Sequence, residues 1–410
     1  MKKTNLILRL LCLLALVYFT IFSVKWVPKI THGYAAYYTF SRLLITGEDL
    51  SQGYNDEFFS SKIKEYGMDV YDILAGNIPS NSFALAPFAW LDVKPARITW
   101  SIFSIAAFLL SLYILFLVFE VKYKSESGLL ILLITILWRP VYENIAFGQI
   151  YALLLLLFSL CLLGLKKQKN ILFTVPLAAI FLLKGYGVVS FLWLAVKKKW
   201  KDLAYTIGFV LIGVIISALI FGFNTWLVYL SAVSGKMGQL PEMGNTAYQT
   251  INSLLMHLFI FDGKWLPHPL IILPGKFVFI LSLCISILFI AYILFERKID
   301  KEHLPLSFSA AIAAGVVTAP VAEEYHYLLF LPLVIGISKL IFEQFIENRS
   351  FGLEEFFYVI ATAVMIVPIN YKALQSSSAP LYLLAYPKLY AGIILLIIYR
   401  RIVRLQAINS

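Results

Sequence analysis

A chain of 410 residues with 60% hydrophobic, 16% aromatic and only 14% charged residues is not a soluble globular domain, whose charged share is about 25%. The apolar residues gather in runs of roughly 18 or more, each able to cross a hydrocarbon core of ~30 Å as a helix. That excludes a globular enzyme with a membrane tail, and also a β-barrel, whose strands are shorter and alternate in polarity.

The first run, Leu11 to Val24, follows Lys2, Lys3 and Arg9. It is long for a signal peptide and no small-x-small cleavage site follows, so it reads as an uncleaved first span. Further apolar segments lie at about 98–119, 127–138, 149–165, 170–183, 186–196, 203–222, 276–295, 305–319, 326–341, 354–370 and 387–400. The expected fold is an all-α polytopic membrane bundle of about 12 transmembrane helices, some too short to span alone, in one integral domain over 1–410.

The formal charge of +11 sits in short clusters between these runs and not on one solvated face, so it reads as topology and no nucleic acid is expected as a partner. With the N-terminus cytoplasmic, Lys122 and Lys124, Lys166, Lys167 and Lys169, Lys197 to Lys199 and Lys201 all fall inside. So do Arg297, Lys298 and Lys301, the stretch around Arg349, and Arg400, Arg401 and Arg404, which is the positive-inside pattern. Both termini are then cytoplasmic and two long hydrophilic segments, 25–97 and 223–275, lie outside.

In the first outer segment Phe58, Phe59, Ile63 and Tyr66 give 55–66 an amphipathic helical pattern suited to the membrane surface. Asp56 and Glu57 stand where they can cap it, and Pro79, Pro87 and Pro95 punctuate the rest. Cys12, Cys161 and Cys284 all fall in apolar spans with no metal-ligand spacing. No cofactor is expected, with a divalent metal left open.

A charge inside a span costs about 2.5 to 3.5 kcal/mol on insertion scales, so polar groups there are functional candidates. Lys184, followed by Gly185 and Gly187, separates two half-length apolar stretches. It reads either as a lysine snorkelling from an outer hairpin turn or as a cation facing a lipid-linked phosphate. The segment Trp138 to Asn144 leads into Phe147-Gly148-Gln149, and here Arg139 and Glu143 either pair with each other or serve a site. Gln149 is a site residue or a cap. Between the apolar segments at 305–319 and 326–341, Glu323 and Glu324 suit the positive end of a following helix, yet two acids and His326 together exceed what that dipole needs. His326 is the best single candidate for handling a proton or touching a phosphate, since imidazole titrates near neutral pH.

Several of these segments resemble the polyprenol-phosphate-dependent glycosyltransferases of family 87. They are Phe147-Gly148-Gln149 opening the span Tyr151 to Leu165, the segment Ala178 to Lys184, and the Pro320 to His326 turn followed by Leu328 to Pro332. His32 to Tyr38, Asp69-Val70-Tyr71 and Asn77 to Leu85 with Pro87 resemble that family's first outer loop, and Gln249 to Leu254 a short motif of its second. The resemblance implies a GT-C bundle with its site at the outer leaflet. There a sugar, mannose-like, passes from a polyprenyl phosphate to a lipid or glycan acceptor, with membrane lipids as the surroundings. Compactness and topology, and not the resemblance, make a bacterial plasma membrane the expected location. Lys184 and Arg139 then meet the donor phosphate, while Gln149, Asn144, Glu323 and Gln249 contact substrate.

The sequence departs from the family where members similar to this one place an acid just before the tyrosines of the first loop's helix. This chain reads Gly33-Tyr34-Ala35-Ala36 there. A general base is still needed, because a sugar alcohol is a poor nucleophile without one. Asp56 is the first choice. Its alternatives are Glu48, Asp49, Glu57, His32, His326, Glu323 and Glu324, or a chain without catalysis. Two other functions stay open: a transporter or flippase of lipid-linked saccharide, which would also want polar groups at membrane depth, and a non-catalytic scaffold.

Overall fold

The computed structural model describes residues 2–74, 76–236, 241–295, 301–348 and 352–409. Arg297, Lys298 and Arg349 of the basic pattern lie outside the described residues. Among the described residues the chain is helical, without β-strands. In order the helices are α1 (Lys2–Trp26), α2 (Tyr34–Thr46), α3 (Asp56–Glu65), α4 (Val93–Val118), α5 (Glu126–Ile136) and α6 (Arg139–Phe147). Then come α7 (Tyr151–Lys166), α8 (Asn170–Lys184), α9 (Gly187–Val196), α10 (Trp200–Phe221), α11 (Phe223–Lys236) and α12 (Ile251–Phe259). The last are α13 (Gly275–Leu294), α14 (Leu304–Val317), α15 (Leu331–Asn348), α16 (Leu353–Ile366) and α17 (Pro387–Asn409).

Each apolar segment read from the sequence falls on a helix. Length then separates them. Among the described residues six helical stretches are long and apolar enough to cross a membrane: Asn5–Trp26, Val93–Val118, Glu126–Phe147, Trp200–Phe221, Gly275–Leu294 and Glu324–Phe342. The protein is integral to the membrane. α8, with 15 residues, is only about 22 Å long at 1.5 Å per residue, and α9 is shorter still.

By packing, the chain divides into two compact units. The first comprises Tyr18–Ile114 and Val141–Lys236, and its centre is α2. Tyr34 through Ser41 and Leu43 of this helix are all buried. Three tyrosine hydroxyls still need partners: Tyr34 donates to the Val93 carbonyl (3.1 Å), Tyr38 to that of Leu91 (2.8 Å) and Tyr37 to Gln149 Oε1 (3.0 Å). α2 ends at Gly47, whose positive φ of 73° lets its N–H return to the last turn.

The expected surface helix is present as α3, with Phe59 and Ile63 buried. Its cap is Asn55, which accepts from the Glu57 and Phe58 amides at 3.0 and 3.1 Å, and the acids enter the first turn instead. Lys62 meets Glu48 at 2.7 Å. Burial alone would raise the Glu48 carboxyl, but the hydrogen bonds from Lys62 and Tyr66 and the lysine's charge outweigh it and hold the group below its ordinary value.

Arg97, near the start of α4, is fully buried. A guanidinium there is tolerated because its fork is satisfied. Nε donates to the Lys29 carbonyl (2.8 Å), Nη1 to Ser101 Oγ (2.8 Å) and Nη2 to the Ile145 and Ala146 carbonyls (2.7 and 3.1 Å). Together with Trp100, which donates to the Gly148 carbonyl at 2.9 Å, it fixes the loop that carries Gln149.

The second unit comprises Met1–Val17, Leu115–Pro140 and Met237–Ser410. Its core is α14, buried from Pro305 to Val317. The small side chains of Ala310, Ala311, Ala313, Ala314 and Gly315 let neighbours approach closely, as in membrane helix packing. Trp138 Nε1 donates to the Tyr327 carbonyl at 3.0 Å.

Candidate functional site

Two polar clusters form, one within each unit. In the first unit the cluster is built on the opening turn of α2. Gly33 precedes that turn with φ of 81°, a conformation glycine adopts without steric cost. The missing side chain also makes room. A β-carbon at position 33 would lie 2.2 Å from Gln149 Nε2 and 3.2 Å from the Phe147 carbonyl oxygen. Gln149 therefore packs on bare backbone, and its Oε1 accepts from Tyr37. The cap of α7 is not Gln149 but Asn144, which is buried and whose Oδ1 accepts from the Tyr151 and Ala152 amides at 2.9 and 3.3 Å.

Lys184 ends α8 and is half-buried. Its ammonium donates to Asn77 Oδ1 at 2.7 Å and stands 5.3 Å from the centre of the Tyr37 ring, within cation–π range. Asn77 is held in turn: Nδ2 donates to the Leu74 carbonyl (2.6 Å), Asn81 Nδ2 donates to its Oδ1 (3.1 Å), and Tyr54 donates to its carbonyl (2.8 Å). Ser80 ties the same segment to α8 through the Leu182 carbonyl at 2.5 Å. The lysine read from sequence as a half-helix break is thus part of a built polar cluster.

Asp72 closes the cluster. Its Oδ2 accepts the Gly33 amide and its Oδ1 the Ile73 amide, the latter at 2.9 Å. Burial holds its carboxyl above the ordinary range, against the opposing pull of the Gly33, Ile73 and Ala36 amides and the His32 charge. In the sequence Asp72 is one of several outer-segment acids, and nothing local distinguishes it, since its partner lies 39 positions away. Asp56, the preferred base, sits in the first turn of α3.

The second unit's cluster gathers the remaining candidates. Glu324 forms an ion pair at 2.8 Å with Lys388, whose side chain is wholly buried, and accepts from Tyr371 at 3.3 Å. Lys388 also donates to the Val364 and Val367 carbonyls at 2.7 and 3.1 Å, satisfying the end of α16. Glu323 Oε1 accepts from Tyr325 (2.7 Å), and His326 Nδ1 accepts the Glu323 amide (3.0 Å). That bond places the neutral ring's proton on Nε2.

Gln249 is fully buried. It clamps three segments: Nε2 donates to the Thr246 and Ala385 carbonyls (2.6 and 2.8 Å) and Oε1 accepts the Lys388 amide (3.1 Å). Beside it His257 shares a 2.9 Å hydrogen bond with Tyr386, and burial pulls its imidazole down to about 4, so it stays neutral. Arg139 belongs to this unit as the first residue of α6. Among the described residues no group of three or more His, Cys, Asp or Glu side chains is placed to hold a metal ion.

The profile of glycosyltransferase family 87 matches residues 79–332 of this sequence. The chain belongs to glycosyltransferase family 87. The family-87 match takes in Gln149, Lys184, Gln249 and the Glu323 to His326 turn, whereas Gly33, Asp56 and Asp72 precede it. Family membership makes the protein a membrane glycosyltransferase and leaves the transporter and scaffold alternatives without support.

No curated protein sequence matches the chain. Among solved structures it is similar to ArnT from Cupriavidus metallidurans bound to undecaprenyl phosphate, with 10% identity and a TM-score of 0.42 over 96% of this chain and 77% of that one. The apo state of the same ArnT gives 11% identity and a TM-score of 0.36, covering 98% of this chain and 78% of that one.

The Gly33 geometry has a direct test. Gly33→Ala must displace Gln149 and strain the backbone, since a β-carbon disfavours positive φ by roughly 1 kcal/mol or more. We expect the variant to insert in the membrane and lose at least about 10-fold in transfer rate, as small misplacements near reacting groups do. Wild-type turnover would show that Gln149 has no part in the site.

Proposed function

We propose that this family-87 chain moves a hexose, mannose-like, from a polyprenyl phosphate to a hydroxyl of a lipid or glycan acceptor. The work is done at the outer face of a bacterial plasma membrane, with both termini cytoplasmic. The observation that carries this reading is Lys184, a cation at the end of a short apolar helix, oriented by Asn77 and by the ring of Tyr37.

A transfer of this kind breaks the bond between the sugar's anomeric carbon and a phosphate oxygen. Negative charge collects on the departing polyprenyl phosphate, and a preset ammonium stabilises it more in the transition state than in the ground state. The donor's tail remains in the bilayer, so the phosphate must be met at membrane depth by a helix end. α8 offers one. The basic clusters at Lys166 to Lys169 and Lys197 to Lys201 support an inward-facing side opposite to it.

The test is transfer by purified protein in vesicles, from a panel of radiolabelled polyprenyl-phosphate hexoses into extracted lipid and glycan acceptors. Label should move from the mannose donor. Folded protein that binds these donors and moves no sugar from any of them would refute the reading.

A further inference from the structure

The outer segment carries several acids, and the structure sorts them by what they already do. Glu48 is engaged by Lys62 and Tyr66, and Asp49 by the amide and hydroxyl of Ser51 at 2.9 and 2.8 Å. Asp56 and Glu57 open α3, where the dipole of a surface helix accounts for them. In the other unit Glu324 is paired with Lys388, and Glu323 accepts from Tyr325. Asp72 differs from all of these. Among the described residues its hydrogen bonds come from backbone amides at the head of α2, and it forms no ion pair.

The same turn of α2 links it to the lysine. Gly33 carries the Asp72 contact on its amide and Gln149 on its open face, Gln149 accepts from Tyr37, and Lys184 stands over the Tyr37 ring. Gly33 and Tyr37 are one helical turn apart, about 6 Å along the axis. The Asp72 carboxylate and the Lys184 ammonium are thus both tied to this one turn of α2, the two kinds of group that a sugar between an attacking hydroxyl and a departing phosphate calls for.

We propose that Asp72 is the catalytic base of the transfer, its carboxylate set by the Gly33 amide to receive the acceptor's proton. The inference rests on the glycosyl-transfer reading above. The acceptor O–H gives its proton to a carboxylate oxygen of Asp72 while its oxygen bonds the anomeric carbon. The bond from that carbon to the phosphate oxygen breaks with its electron pair on the phosphate, whose new charge faces Lys184, and the anomeric centre inverts. A carboxylate offers about four lone-pair sites, and the Gly33, Ile73 and Ala36 amides engage three, which leaves one for the acceptor's proton.

Its raised basicity suits the task, because a base works best when its pKa approaches the working pH. His32 is the titratable neighbour whose charge acts on it. Activity needs Asp72 ionised, so kcat/KM should fall on the acid side along a limb lying above the ordinary aspartate value of ~3.9.

Asp72 also caps α2, and the test separates the two roles. Asp72→Asn keeps an oxygen for the Gly33 amide but accepts no proton. The variant should unfold at the wild-type temperature, bind polyprenyl-phosphate mannose as tightly, and lose about 10³-fold in kcat, with the acid limb gone from the residual rate. If Asp72→Asn does not fold, Asp72→Glu supplies the answer through a displaced acid limb. Transfer kept in Asp72→Asn, or an unmoved limb in Asp72→Glu, overturns the proposal, as does transfer lost only in Asp56→Asn. A wild-type protein that moves no sugar from any donor removes the underlying reading instead.

Discussion

Lys184→Ala is expected to lower kcat/KM for the polyprenyl-phosphate sugar by about 10² to 10³-fold, the range found when one preset donor to a developing anion is removed. Most of the loss should appear in kcat, because the ammonium is worth most when the phosphate oxygen gains its charge. Lys184→Arg should recover only part of it. The guanidinium keeps the charge, but its planar fork does not reproduce a point cation over Tyr37 with Asn77 at 2.7 Å. Single-turnover transfer together with donor binding measures both. A variant with unchanged kcat and weakened binding would make Lys184 a tether for the headgroup and not a partner of the leaving group.

The second large effect is on stability and lies in the other unit. Lys388→Met should destabilise the protein by about 3 to 5 kcal/mol, because it leaves the buried Glu324 carboxylate unpaired. It also strips a donor from the end of α16. Adding Glu324→Gln to Lys388→Met should restore a good part of the loss, since removing both partners of a buried pair costs less than removing one. Thermal unfolding in detergent reads this, and additive losses in the double variant would contradict it. The same experiment bears on catalysis. A Glu324 whose partner is Lys388 acts first on folding, so activity per folded molecule should survive in the double variant.

How far the sequence leads depends on the range of the contacts involved. Apolar runs are local, and every one of them falls on a helix. Lys184 was also legible, because a charge followed by Gly185 and Gly187 between two short runs breaks a pattern within a few residues. α2 is legible only through the family resemblance, which sets a helix after Gly33, because at 13 residues it is too short to stand out as a span. Asp72 and Arg97 carry no local mark as site or framework residues, and Asn77 shows only as the start of a family-like segment, for another reason. The partners that tie them to other elements lie from 39 to 107 positions away, and no spacing rule reaches that far. Gln249 shows the converse: a polar motif conspicuous in the sequence is, in the fold, a clamp with its amide engaged by carbonyls and an amide of its own unit.

Gly33 also constrains how the chain can change. An acid introduced at that position by a single substitution would carry a β-carbon into the place taken by Gln149 Nε2, while the backbone there stays at a φ that suits glycine. Gln149 would have to shrink first, and Tyr37 would then lose its acceptor. A route to an aspartate at 33 therefore passes through an intermediate impaired at the same turn. Position 33 and position 149 form an epistatic pair, and a library that varies both together should recover combinations that neither single-site library contains.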